Sequence, residues 1–317
     1  MKHILTLAFC ACSLSITAGC AFAQELTMPS VPITVEVHVR DPDGKPVADA
    51  TLRLALPRYR LGDKGQRVES STDADGIATV SGIAQQDYSL RVEKVGYYAT
   101  QGPWRGINDE KSFQKYAVGV QKIDLELRPI RNPIGGISNA VRIKLPAFDR
   151  ALGFDLEAGD WVAPFGNGTV SNLIFTVGGY FKGLNDYDQS LTLTFTNPGD
   201  GIMLTKIAPR VGSTFKFPYE APLNGYEPRR VWTKTFNGKT EATNIDGSGE
   251  TNYIFRVRTE LDEKGNVRRA LYGVIAGEVI IGGNNEIGRN VSFTYALNPD
   301  WTRNIEFDPA KVAAAPR

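Results

Sequence analysis

The sequence predicts an all-β protein, with a β-sandwich of about seven strands followed by a larger antiparallel, jelly-roll-like β-sandwich. Apolar and polar residues alternate along most of the patterned runs, and β-branched and aromatic residues dominate these runs. Turn signals rich in Asp, Asn, Gly and Pro separate the runs at short intervals. Only residues 147–156 could form a short helical turn.

The first predicted domain, residues 31–129, begins with a strand of strict alternation. Apolar residues occupy every second position of residues 31–40, which predicts a half-buried strand. The turn Asp41-Pro42-Asp43-Gly44 follows, so we expect this strand to form a hairpin with the next one. The later runs of this domain are residues 47–56, 77–80, 88–92 and 120–127. Strands at such short spacing are typical of a sandwich.

Three motifs in this domain occur in a fixed order. They are Asp41-Pro42-Asp43-Gly44-Lys45-Pro46-Val47, then Thr72-Asp73-Ala74-Asp75-Gly76, then Tyr88-Ser89-Leu90-Arg91-Val92 continuing to Gly96-Tyr97. With these motifs, about a third of the chain resembles the carboxypeptidase regulatory-like domains. The resemblance implies a transthyretin-like (prealbumin-like) sandwich that serves as a non-catalytic accessory or binding module.

A second predicted domain, residues 140–308, follows a linker at residues 130–139 that contains proline and glycine. Its predicted strands are residues 141–145, 172–177, 190–196, 230–236, 253–261, 270–281 and 291–295. Residues 262–266 between two of these runs form a predicted hairpin turn. The tail at residues 309–317 is rich in Ala and Pro, and we expect it to be disordered. The sequence of this second domain indicates no known family.

The first 23 residues have the features of a bacterial signal peptide. A short basic start precedes an apolar segment too short to span a bilayer, and Ala21-Phe22-Ala23 predicts cleavage before Gln24. An alternative is lipidation at Cys20, because residues 17–20 resemble the lipobox of bacterial lipoproteins. Both interpretations predict export to the periplasm, the outer membrane surface or the extracellular space. No later stretch is apolar for long enough to predict a transmembrane segment.

Composition argues against several kinds of chemistry. All three cysteines and one of the two histidines lie in the predicted signal peptide, which leaves His38. Thiol, zinc and Ser-His-Asp catalysis are therefore disfavoured, and we expect no cofactor. Removal of Lys2 leaves 35 basic and 35 acidic residues, and this balance argues against nucleic acid as a partner. The aspartates of the tight turns could bind calcium, but turn formation explains them better, and we predict no metal site.

Three functional interpretations remain. The sequence favours an exported, non-enzymatic binding or structural protein whose partner is an envelope protein or a polysaccharide. The second interpretation is a carbohydrate-binding module, in which exposed aromatic rings stack on sugars and polar side chains bind hydroxyl groups. Its candidate residues are Asp160, Trp161, Tyr180, Asn185, Asp186, Asp188, Tyr226 and Trp232. Because Trp232 lies in an alternating strand, a place in the core is the competing expectation for it.

The third interpretation is an enzyme that acts on polysaccharide through two carboxylates, since this chemistry needs neither Cys nor His. The available carboxylates include Asp155, Glu157, Asp160, Asp186, Asp188, Glu250 and Glu278. Glu278 interrupts the apolar run 273–281. Alternation places it on the same face as Val274 and Ala276, so we expect it on a solvated side of its strand.

Overall fold

The structure is a computed structural model that describes residues 31–57, 65–84, 87–102, 105–106, 119–207, 211–246, 248–282, 290–308 and 313–314. The described residues form strands and no helix, which confirms the predicted all-β class. None of them belongs to a helix that could cross a membrane. The predicted signal peptide, Cys20 and most of the predicted tail lie outside the described residues.

The N-terminal part of the chain folds into two sheets around one hydrophobic core. Its strands are β1 (Val31–Arg40), β2 (Thr51–Leu56), β3 (Gln66–Ser71), β4 (Ile77–Ala84), β5 (Asp87–Glu93), β6 (Thr100–Gln101), β7 (Arg105–Gly106) and β8 (Val120–Glu126). One sheet has the order β4-β1-β8, and the other contains β6-β5-β2-β3. The alternating apolar residues of β1 and β2 fill the core between them, as predicted.

The predicted hairpin between β1 and β2 is wrong. The turn after β1 forms as expected, because the Asp41 carboxylate accepts hydrogen bonds from the backbone N–H groups of Asp43 and Lys45, both at 2.9 Å. After this turn, however, β2 crosses to the opposite sheet and pairs with β3 and β5. β1 pairs instead with β4, antiparallel, and with β8, parallel. Crossing over lets both strands bury their apolar faces against each other across the sandwich.

The C-terminal part of the chain forms two further sheets. Its strands are β9 (Ile137–Lys144), β10 (Ala151–Asp155), β11 (Asp160–Trp161), β12 (Leu173–Gly183), β13 (Asp186–Thr194), β14 (Gly201–Lys206), β15 (Gly212–Ser213), β16 (Arg229–Phe236), β17 (Glu241–Thr243), β18 (Thr251–Leu261), β19 (Val267–Ile281), β20 (Asn290–Asn298) and β21 (Ala313–Ala314). The sheet β11-β10-β12-β13-β16-β17 packs on the sheet β14-β18-β19-β20-β9-β21 around a large aromatic core. The predicted turn at residues 262–266 connects β18 to β19.

Residues 147–156, which could have formed a short helical turn, contain no helix, because β10 occupies residues 151–155. Leu152 and Phe154 of this strand point into the core, and the backbone of β10 pairs with β12. The short segment has the period of a strand, and its pairing with a long neighbouring strand decides its structure.

Glu306 connects the two parts of the chain. This side chain is 1% exposed, and its Oε1 accepts hydrogen bonds from Tyr98 OH at 2.8 Å and from the backbone N–H of Arg131 at 2.9 Å. Its Oε2 accepts one from the backbone N–H of Asn132 at 2.7 Å. A carboxylate from the end of the chain therefore fixes both the N-terminal sandwich and the segment that follows it.

Arg128 strengthens the same junction. Its guanidinium lies 4.6 Å from the ring centroids of both Phe215 and Tyr219, and it donates hydrogen bonds to the carbonyl oxygens of Phe215 and Phe217. β15, which follows β14 in the chain, adds to β6 of the N-terminal sheet. Cation-π contacts and backbone pairing thus join the two parts over a continuous surface.

Candidate functional site

The end of the β12–β13 hairpin extends beyond the core and exposes a group of apolar side chains. Tyr180 is 46% exposed, Phe181 39% and Leu184 67%. Val177 is the last fully buried residue of β12, so these three side chains belong to a part of the hairpin that the opposite sheet does not cover. We call residues 180–188 the hairpin tip.

One face of the hairpin tip carries a polar network. Tyr180 OH donates a hydrogen bond to Asp186 Oδ1 at 3.1 Å, and Lys182 Nζ lies 3.2 Å from Asp186 Oδ2. The Lys182 ammonium is also 4.7 Å from the centroid of the Tyr180 ring. The hydrogen bond to the Asp186 carboxylate raises the pKa of Tyr180. The hydroxyl is therefore a neutral donor at physiological pH, and Lys182 covers one side of the ring.

The other face of the hairpin tip is supported by stacked aromatic rings. Phe181 pairs with Tyr187 across the two strands, and their ring centroids are 6.1 Å apart. Tyr187 is in turn 6.1 Å from Phe236 of β16, and Lys234 Nζ lies 5.5 Å from the Tyr187 ring centroid. These contacts hold the projecting hairpin in a defined position.

The structure brings half of the predicted binding residues together. Tyr180, Asn185, Asp186 and Asp188 all lie in the hairpin tip, and Asn185 and Asp188 are exposed. Sequence reasoning missed Phe181 and Leu184, which are exposed in the same hairpin tip. The available signal was the presence of these two large apolar residues in a glycine-containing segment between the predicted strands 172–177 and 190–196, where polar residues are usual.

Asp160 and Trp161 have structural roles, and the expectation that Trp161 is an exposed binding ring is wrong. Trp161 is 3% exposed, and its Nε1 donates a hydrogen bond to the carbonyl oxygen of Lys144 at 2.8 Å. The Asp160 carboxylate accepts hydrogen bonds from the backbone N–H groups of Trp161 and Asn167. It stabilises the loop that holds Trp161 against Phe154 in the core.

Tyr226 and Trp232 also lie away from the hairpin tip surface. Trp232 is fully buried, so the competing expectation of a core position is the correct one. Tyr226 is half-buried, with its hydroxyl bonded to the Pro222 carbonyl oxygen at 2.9 Å and its ring 4.6 Å from the Arg256 guanidinium. Burial raises the pKa of Tyr226. The Trp232 ring is therefore closed to a ligand, and Arg256 lies over the Tyr226 ring.

Glu278 does not lie on a solvated side, which corrects the expectation from alternation. The pairing of β19 with β20 shifts between Ala276 and Ile280, and Gly277 in this bulge has φ +83°. The bulge turns Glu278 toward the core, since a glycine accepts this conformation without strain. The carboxylate is half-buried rather than exposed.

The inward position gives Glu278 three hydrogen-bond donors. Tyr253 OH donates to its Oε2 at 2.5 Å, Trp232 Nε1 donates to the same oxygen at 3.0 Å, and the backbone N–H of Asp246 donates to Oε1 at 3.0 Å. Burial raises the pKa of Tyr253, and the hydrogen bond to Glu278 raises it further. Glu278 thus provides acceptors for polar groups of the core.

Of the remaining candidate carboxylates, Asp155 and Glu157 bind donors of the protein itself, and Glu250 is exposed. Asp155 is 3% exposed and accepts hydrogen bonds from the backbone N–H groups of residues 157, 158, 169 and 170. Burial alone would raise the pKa of Asp155, but these backbone hydrogen bonds outweigh it and lower the pKa. Glu157 pairs with Arg258 at 2.7 Å, and Glu250 is exposed. Across the described ranges, no group of three or more His, Cys, Asp or Glu side chains is placed to hold a metal ion.

Comparisons with solved structures give low similarity. The 3-chlorocatechol 1,2-dioxygenase of Rhodococcus opacus 1CP is 14% identical, and the match covers 32% of this chain and 61% of that chain with a TM-score of 0.25. A point mutant of the shaft pilin SpaA of Lactobacillus rhamnosus GG is 10% identical over 90% of this chain and 97% of that chain, with a TM-score of 0.22. The major pilin subunit BcpA of Bacillus cereus is 11% identical over 90% and 98% of the two chains, with a TM-score of 0.22.

A search of curated proteins found no match. The family comparison agrees with the three motifs of the N-terminal sandwich, and its match extends from within β1 to just beyond β7. Residues 34–109 match the model of the carboxypeptidase regulatory-like domain.

Proposed function

We propose that this protein is an exported, non-enzymatic binding protein of the bacterial envelope, and that the hairpin tip contacts a protein partner. The observation that carries this proposal is the exposure of Tyr180, Phe181 and Leu184 within one short segment at the end of the β12–β13 hairpin. Single exposed apolar residues are ordinary, but several of them concentrated at one end of a hairpin favour an interaction surface.

The chemistry of the hairpin tip supports a protein partner. Leu184 and Phe181 offer apolar surface without hydrogen-bonding groups, and Tyr180 adds an aromatic ring with a polar end. Buried aromatic and aliphatic anchors surrounded by a polar rim are the usual arrangement of protein interfaces. Here Lys182, Asp186 and the exposed Asp188 supply the polar rim.

The hydrogen bonds of three buried or half-buried carboxylates support a non-enzymatic role. Asp155, Glu278 and Glu306 are engaged by donors of the protein itself, and each of them stabilises a turn, a bulge or the junction between the two parts. An acid or base in catalysis must instead reach the bound substrate. The junction at Glu306 and Arg128 also supports a role in presentation, because it joins the N-terminal sandwich to the part of the chain that carries the hairpin.

The proposal is tested by site-specific photo-crosslinking in the native cell. A photoreactive residue replaces Leu184, and the matched control carries it at Val95, which is 98% exposed on the N-terminal sandwich. We expect a discrete crosslinked protein from position 184 that is absent from position 95 and is lost when Phe181→Ser is added. Equal crosslinking from both positions, or no effect of Phe181→Ser, would contradict the proposal.

A second candidate function is carbohydrate binding at the same hairpin tip. It is favoured by the position of the Tyr180 ring beside the carboxylates of Asp186 and Asp188, since sugars stack on rings and donate hydroxyl groups to carboxylates. Thermal melting against neutral soluble polysaccharides tests this function. A ligand at 100 times its Kd stabilises the protein by about 2.7 kcal/mol. This stabilisation should disappear in Tyr180→Ser, and a panel without any shift would remove the candidate.

A further inference from the structure

The outward face of the N-terminal sheet carries two arginines in an unfavourable arrangement. Arg53 of β2 lies directly opposite Arg91 of β5, and like charges in such a pair destabilise a sheet. Two carboxylates offset this repulsion. Arg53 Nε donates a hydrogen bond to Glu69 at 2.9 Å, and Arg53 Nη1 donates one to Glu93. Arg91 Nε also donates a hydrogen bond to Glu93, at 2.6 Å. Two acidic residues of the sheet thus keep a pair of guanidinium groups together at its surface.

A trough runs beside this row of charges. Ala55 and Ser89 lie opposite each other on β2 and β5, and Arg67 of β3 is opposite Ala55 on the other side. The small side chains leave a cavity of about 630 Å³, which is lined by Arg53, Arg67, Ser89, Arg91 and Gln101. A second cavity of about 580 Å³ shares Ala55, Arg67 and Ser89 with the first and continues to Gln66. We call the two together the arginine trough.

The arginine trough has unused donors for an anion. Three arginines and one glutamate line its first cavity, so positive charge is in excess there. Arg67 is exposed, and within the described part of the chain its side chain forms no hydrogen bond or ion pair. Arg91 uses its Nε for Glu93, and both of its terminal amino groups remain available within the same described part. Guanidinium groups bind carboxylates through paired hydrogen bonds.

We propose that the arginine trough binds a polysaccharide that carries carboxylate groups, such as a chain of uronic acid residues. Arg67 and Arg91 bind carboxylates of the chain, while Ser89 and Gln101 exchange hydrogen bonds with its hydroxyl groups. The site lies on the N-terminal sandwich and goes beyond the proposed function, because it is separate from the hairpin tip and selects a different chemistry.

The surroundings of the trough favour a polysaccharide over a peptide. The backbone groups of β2 are already paired with β3 on one side and β5 on the other, so the floor offers no main-chain hydrogen bonds to an extended peptide. Among the described residues, no aromatic side chain lines either cavity, so large apolar side chains would find no partner. Small floor residues flanked by guanidinium, hydroxyl and amide groups fit a hydroxyl-rich acidic chain.

The experiment is calorimetric titration of the exported protein with polygalacturonate and with its fully methyl-esterified form, which has the same backbone without charge. We expect binding of the acid form alone, and a loss of at least tenfold in affinity in Arg67→Gln and in Arg91→Gln. Arg142→Gln is the matched control, because Arg142 is an exposed arginine on β9 of the other sandwich. Arg67→Lys keeps the charge without the paired donors and should lose part of the affinity.

Three results would overturn the proposal: equal binding of the esterified chain, equal effects of Arg67→Gln and Arg142→Gln, or equally tight binding of polyglutamate. Unchanged melting temperatures show that the variants are folded, and if Arg91→Gln unfolds because Glu93 loses its partner, Arg67→Gln alone decides. The experiment also separates this site from the proposed function. Arg67→Gln should leave the crosslink at Leu184 intact, and Phe181→Ser should leave binding of polygalacturonate intact.

Discussion

Replacing Glu306 by alanine should destabilise the protein strongly, because three donors lose their acceptor at once. They are Tyr98 OH and the backbone N–H groups of Arg131 and Asn132, at 2.7 to 2.9 Å from the carboxylate oxygens. A buried donor without an acceptor costs about 1–3 kcal/mol. Because water can reach the exposed residues 131 and 132, we expect a total near the lower end of that sum, about 3 kcal/mol.

The assay is equilibrium unfolding in urea, followed by fluorescence, with the free energy of unfolding compared at matched slopes. Glu306→Gln retains one acceptor oxygen and should cost about 1–2 kcal/mol, less than the alanine variant. The matched control is Glu263→Ala in the exposed β18–β19 turn, which should stay within about 0.5 kcal/mol of the parent. If Glu306→Ala costs less than about 1 kcal/mol, the hydrogen bonds of Glu306 do not hold the junction together.

Three further predictions concern the interior. Gly277→Ala should cost about 1–2 kcal/mol from its positive φ alone, since its new Cβ meets no atom within 4 Å. Gly273→Ala should cost more, because its Cβ would lie 2.2 Å from Phe255 Cζ, and equal losses of stability in thermal melting would contradict this. Glu278→Gln should cost about 1–2 kcal/mol in urea unfolding, because its amide group faces a donor, and a change below about 0.5 kcal/mol would show that the three bonds contribute little. The pKa of Asp155 is lower in the folded state, so its stabilising effect relative to Asp155→Asn should be full above about pH 5 and decline as the pH falls below about 4. A difference in free energy of unfolding between the two proteins that does not change with pH would refute this prediction.

Sequence alternation predicted the fold well wherever a strand is regular. The apolar side of β1 lies in the core as expected, and Trp232 is buried because its strand keeps the same period. Alternation failed at β19, where the bulge around Gly277 turns Glu278 toward Trp232 and Tyr253. Periodicity cannot reveal this bulge, because the bulge consists of extra unpaired residues of β19 opposite fewer residues of β20, and only the pairing of the two strands shows it.

The sequence also did not predict which distant strands pair with each other. The turn at Asp41 predicted a hairpin, but β2 continues into the opposite sheet, and the turn alone cannot distinguish the two paths. The predicted site was recovered in part for a similar reason. Tyr180 and Asp186 come together because they are close along one hairpin, whereas the trough at Arg67 and Arg91 forms only when β3 and β5 align on either side of β2.

The most direct test of the proposed binding role is a comparison of binding to isolated envelopes of the native bacterium. The double variant Phe181→Ser/Leu184→Ser removes the apolar surface of the hairpin tip, and the matched control Val95→Ser removes an exposed apolar residue elsewhere. If the melting temperatures are unchanged, the double variant should bind the envelopes at least tenfold more weakly than the parent, and Val95→Ser should bind with the parent affinity. Equal affinities for the two variants would show that the hairpin tip is not the binding surface.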